Sequence, residues 1–99
     1  MSRHLLVLIF EPIVGFQGEA AQALRDARRR AATAGWNCWA YRNQLRADEI
    51  TLFLEGPAVE GDPPVFGDEI ERIKSLAARF EPVRSLIEYP LEDPRYDRA

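Results

Sequence analysis

The run Leu5-Leu6-Val7-Leu8-Ile9-Phe10 constrains this chain more than any other feature. It is apolar on both parities, so as a β-strand it has no face for water and must be covered on both sides. The run is six residues long, whereas a membrane-spanning helix needs about 20. A signal-peptide core takes roughly 7–15 residues and ends at small residues, whereas this run ends in Glu11-Pro12. The chain of 99 residues reads as one domain spanning residues 1–99, near the ordinary domain size of about 100. A domain that small builds one modest core. The covering of the strand's second face therefore becomes the central question.

After the run, Glu11-Pro12-Ile13-Val14-Gly15-Phe16-Gln17-Gly18 breaks the strand with a proline and two glycines. From Glu19 to Ala34 the spacing turns helical. Phe16, Ala20, Ala23 with Leu24, Ala27, Ala31 and Ala34 form one apolar stripe. Arg25, Arg28, Arg29 and Arg30 lie on the other side, and Gly35 stands where a helix ends. Two β-rich segments follow, Trp36–Arg42 and Ile50–Glu55, joined by the polar hairpin loop 43–49. Gly56 through Phe66 reads as an irregular loop with three prolines and two glycines. Asp68 is the expected N-cap of a second helix, with Ile70, Ile73, Leu76, Ala77 and Phe80 as its buried stripe. Pro82 stops that helix, and Val83–Tyr89 is the last strand. Residues 91–99 read as an arm or frayed end.

The order is βαββαβ. Two right-handed crossovers in one sheet give an α+β, ferredoxin-like domain with a four-stranded antiparallel sheet, strands one and three in the centre. Both helices then cover one face, and strand alternation sorts the remaining side chains. Trp36, Cys38, Ala40, Ile50, Leu52 and Leu54 share the helix-covered parity, with Val83, Ser85, Ile87 and Tyr89 expected beside them. Asn37, Trp39, Tyr41, Thr51, Phe53, Glu55, Arg84, Leu86 and Glu88 fall on the open face. The first strand adds either His4, Leu6, Leu8 and Phe10 or Leu5, Val7 and Ile9; alternation allows both, and we expect the first set. The open face then carries an apolar patch of several hundred Å², at the upper end of what monomers expose. The economical cover is a second copy, sheet against sheet about a two-fold axis.

The βαββαβ order, the Gly-containing first loop and the run "YRNQLRADEITLFLEG" resemble the dimeric α+β barrel superfamily. The similarity is greatest to its antibiotic-biosynthesis-monooxygenase-like members and covers about residues 3–90. The resemblance implies a homodimer whose sheets enclose a cavity. It implies activities from cofactor-free quinone oxygenation through haem degradation and lactone isomerisation to plain ligand binding. Such monooxygenases use an Asn, a Trp and an Arg to hold a phenolic substrate and its anion. Asn37, Trp39 and Arg84 are the matching residue types on the open face, so they are the candidate catalytic set. An amide and a guanidinium donate to a developing oxyanion, and an indole supplies a flat wall. Tyr41, Phe53, Glu55 and Leu86 are candidate substrate-binding residues, and Tyr41 and Glu55 also serve as candidate acid or base partners.

Other chemistry narrows by exclusion. Haem-degrading relatives carry a ligating histidine near the second helix, and residues 66–80 contain none. The single histidine, His4, reads as a rim residue, and the single cysteine, Cys38, as a small core hydrophobe. No metal site and no cofactor is expected. Thirteen basic against sixteen acidic residues give −3, with no general attraction for nucleic acid or anionic lipid. The arginine cluster reads as a solvated helix face, and the Gly15/Gly18 loop lacks a phosphate-binding motif. An RNA-recognition fold shares the strand order, but its basic-Gly-aromatic motif is missing from Glu49–Leu54. We expect a cytoplasmic homodimer that binds a small molecule, with cofactor-independent oxygenation of an aromatic or polyketide-like substrate as the leading activity. A non-catalytic, ACT-like regulatory module is the alternative.

Overall fold

In the computed structural model, which describes residues 3–58, 66–89 and 91, the apolar run becomes the centre of a sheet. β1 (Arg3–Pro12) pairs antiparallel with β3 (Ile50–Pro57), from Arg3 opposite Pro57 to Phe10 opposite Ile50. β2 (Asn37–Arg42) pairs with the other edge of β3, from Asn37 opposite Glu55 to Arg42 opposite Ile50. The free edge of β1 takes two short strands in tandem. β4 (Ala77–Phe80) pairs with Phe10–Pro12, and β5 (Arg84–Ile87) with His4–Val7. Helices α1 (Gln17–Thr33) and α2 (Gly67–Ser75) pack on one face. The fold is α+β with an antiparallel sheet, compatible with the ferredoxin-like arrangement, and β1 and β3 are central as expected.

The sheet has five strands rather than four, because the expected second helix is really a helix followed by a strand. α2 ends at Ser75, and Ala77–Phe80 runs extended beside the end of β1. The Ile13 N–H donates to the Leu76 carbonyl at 2.9 Å, holding the exchange point. The apolar stripe still packs on the core, since Ile70, Leu76, Ala77 and Phe80 all touch it. Tertiary pairing with β1 thus overrides helical spacing over the last four residues. At the other end, Phe66 rather than Asp68 is the N-cap; Asp68 and Glu69 lie in the first turn, where carboxylates suit the helix dipole. α1 likewise starts at Gln17 behind Phe16, which is half-exposed and outside the stripe.

The phase of β1 is opposite to the expected one. Leu6, Leu8 and Phe10 are fully buried beneath the helices, together with Ala20, Ala23, Ala27, Ala31, Leu52, Leu54, Phe66 and Ile73. Leu5, Val7 and Ile9 face away. The reason is register: β1 runs beside β3 without a bulge from Arg3 to Phe10, which sets Leu6 against Leu54 and Leu8 against Leu52. β3 therefore dictates the phase of a strand whose own pattern is silent.

Two further expectations change. β3 continues through Gly56 and Pro57, residues expected in a loop. Ser85 and Ile87 do lie on the helix side of β5, yet every β5 residue is exposed, as is Tyr89, and only Val83 packs on the core. Residues 59–65, with Gly61, Pro63 and Pro64 of the expected loop, and residues 92–99 of the expected tail lie outside the described residues.

Candidate functional site

The face of the sheet away from the helices is organised in rows that the register defines. The middle row runs Trp39, Phe53, Val7, Arg84 across β2, β3, β1 and β5. One row along is Asn37, Glu55, Leu5, Leu86, and on the other side come Tyr41, Thr51 and Ile9. All seven residues singled out from the sequence lie on this face. An aromatic bed occupies its β2–β3 side. Trp39 stacks on Phe53 with ring centroids 5.5 Å apart and planes 15° from parallel, and Tyr41 meets Phe53 edge-on at 5.8 Å. Offset and edge-to-face contacts are the preferred aromatic geometries. The bed is open: Tyr41 keeps 63% of its surface and Leu86 keeps 47%.

The proposed catalytic residues are not brought together within one chain. Asn37 and Trp39 neighbour each other on β2, but Arg84 lies three strands away, about 14 Å at roughly 4.8 Å per strand step. Glu55 sits directly opposite Asn37 and pairs with Arg3 at 3.2 Å, not with Arg84.

Charged networks close the two ends of the apolar field. At one end is the Arg3–Glu55 pair. At the other, Arg79 of β4 bridges Glu49 at 2.7 Å and Glu11 at 3.4 Å, and Arg46 reaches Glu11 at 2.8 Å. The Asn43 Nδ2 amide donates to Glu49 at 3.0 Å. That hydrogen bond, helped by the Arg46 and Arg79 guanidiniums and opposed by partial burial, holds the Glu49 carboxyl below the usual carboxylate range. None of Glu11, Arg46, Glu49 and Arg79 is among the candidate residues read from the sequence. The signal was hidden by the helix assignment, because Arg79 comes opposite Glu11 only when residues 77–80 are a strand.

His4 and Cys38 belong to the helix-covered side. The His4 Nε2 lies 2.5 Å from the Ser85 hydroxyl, and its ring meets Trp36 edge-on at 5.7 Å. Cys38 is half-buried; burial pushes its thiol up, against a smaller opposing pull from Arg28. Among the described residues no three His, Cys, Asp or Glu side chains gather as metal ligands. No described helix is long and apolar enough to cross a membrane.

Fold and face together define a ferredoxin-like α+β protein with one helix-covered side and one open aromatic side. No family model matches the sequence, and no curated protein matches it. Among solved structures, that of Rv0793 from Mycobacterium tuberculosis is similar, with a TM-score of 0.65 over 93% of this chain and 98% of that one. The two share 14% identity, so the likeness is one of fold.

Proposed function

We propose that this protein pairs sheet to sheet with a second copy and binds a small aromatic or polyketide-like molecule between them. It would do so as an antibiotic-biosynthesis-monooxygenase-like member of the dimeric α+β barrel superfamily. The observation that carries this reading is the open aromatic bed of Trp39, Phe53 and Tyr41, set in an apolar field with Leu5, Val7, Ile9 and Leu86. Covering about 600 Å² of apolar surface contributes roughly 15 kcal/mol gross, before the costs of association. Flat rings in the bed suit a flat ligand, and Asn37 and Glu55 offer a donor and an acceptor at its rim.

Cofactor-independent oxygenation is the activity proposed for this site. In that reaction the Asn37 amide steadies the substrate's phenolate while Trp39 holds the ring. Arg84 then has to come from the second copy, since its own protomer keeps it three strands from Trp39. The same separation favours the second reading, ligand binding without catalysis in an ACT-like regulatory role, if the two copies pack with like strands overlaid. Oxygen uptake with a panel of hydroquinones and anthrones separates the two. Oxygenation requires uptake above buffer that falls in Trp39→Phe and in Arg84→Ala. Tight binding of the same compounds with uptake equal to buffer leaves the regulatory reading.

A further inference from the structure

The open sheet face does not use the outer flank of α1. The inner flank of that helix is tied to α2, through Asp26–Arg72 at 2.6 Å and Arg30–Glu69 at 3.6 Å. Its other flank, carrying Ala21, Leu24, Arg25 and Arg28, overhangs the edge strand β2 without closing on it. The result is a groove of about 330 Å³ lined by Leu24, Arg25, Arg28, Cys38, Ala40 and Leu52, together with Trp39 of β2 between Cys38 and Ala40. It meets a second hollow of about 400 Å³ at Leu24, which continues over Ala21 and Ile50 to Arg42. Pockets for small organic molecules occupy about 300–1,000 Å³, so either hollow admits one.

The chemistry of the first hollow is one-sided. Its floor is apolar and low, because Ala40 and Cys38 are small and Leu52 is fully buried. The side chains at its rim that carry charge are both cationic, Arg25 and Arg28, one helical turn apart. Six other arginines are held in ion pairs, among them Arg3, Arg46 and Arg79, whereas Arg25, Arg28 and Arg42 make none among the described residues. Arg25 has only the neutral Gln22 amide oxygen, at 2.9 Å. Two guanidiniums without a carboxylate partner, over an apolar floor, recognise a molecule with a flat apolar body and an anionic head.

We propose that this α1–β2 groove is a second binding site, on the opposite face of the sheet from the aromatic bed, for small aromatic carboxylates. The ring lies on Ala40, Cys38 and Leu52 under Leu24, and the carboxylate faces Arg25 and Arg28. Because α1 stands away from the open sheet face, the site is complete in a single protomer.

The test uses 2-naphthoate and its neutral counterpart 2-naphthamide, with binding followed by amide chemical shifts and calorimetry on the full chain. Saturable naphthoate binding with shifts centred on Leu24, Arg28, Cys38, Ala40 and Leu52 is expected. Naphthamide and the Arg25→Gln/Arg28→Gln double variant should each bind about tenfold more weakly or worse. Bound naphthoate should slow alkylation of Cys38 by iodoacetamide. Phe53→Glu, on the opposite face and outside the groove lining, should leave the groove-centred shifts and the protection of Cys38 unchanged even where it abolishes the open-face site, and this separates failure of the groove from failure of the open-face reading. Equal binding of acid and amide, shifts centred on Tyr41, Phe53 and Val7, undiminished binding by the double variant, or no saturation at millimolar naphthoate would each overturn the proposal.

Discussion

The Trp36 indole lies over the backbone of Gly56, in the space a side chain there would need. Trp36 precedes β2, and Gly56 is the β3 residue opposite His4. The same indole meets Phe66 edge-on at 5.2 Å and His4 at 5.7 Å, so it closes one end of the core. Gly56 is therefore a matter of close approach rather than of backbone freedom. Gly56→Ala would drive the ring out of its seat and cost about 1–3 kcal/mol. Gly18, in the first turn of α1, has open space around it. There the same substitution should be neutral or stabilising by up to about 1 kcal/mol. Urea unfolding of both variants checks the contrast, and equal effects would mean that Trp36 does not sit on Gly56.

Neighbouring residues of β1 should respond unequally to truncation. Leu8 is fully buried under the helices, and Val7 lies on the other face. Leu8→Ala should cost about 2–5 kcal/mol. In a Phe53→Glu background, where the open face has no partner, Val7→Ala should cost under about 1 kcal/mol. Comparable losses at both positions would contradict the phase given to this strand.

Acid should loosen the contact between the helices. The Arg72 hydrogen bond, and next that from Gln22, holds the Asp26 carboxyl below its ordinary value. A carboxylate with a depressed folded pKa adds stability that is fully present above its unfolded value, about 4. That stability is lost as pH falls through the folded value. Glu49 has the same sign, through Asn43 first. The loss of stability below about pH 4 should thus be shallower in Asp26→Asn than in the parent chain. Carboxyl NMR titration should show the Asp26 pKa rising in Arg72→Ala. An unmoved titration would show that the pair does not form in solution.

Much of this architecture was legible because helix and strand write different periods. The alanine stripe of α1, the alternation of β2 and β3, and the polar hairpin between them each pointed to one element. β1 was different: a strand apolar at every position has no phase of its own, and its pairing with Leu52 and Leu54 supplied one. The second helix failed for a related reason. Ile73, Leu76, Ala77 and Phe80 satisfy helical spacing, yet the last two reach the same core from an extended segment paired with β1. With that strand unseen, Arg79 had no visible route to Glu11 and Glu49, so the charged end of the open face stayed hidden.

The proposed function requires the open face to be the seat of a second copy. Sedimentation at micromolar concentration tests it most directly, comparing the parent chain with Phe53→Glu. A species of twice the chain mass is expected for the parent, and a folded monomer for the variant with unchanged far-ultraviolet dichroism. A parent chain that sediments as a monomer, or a variant that stays dimeric, would contradict it.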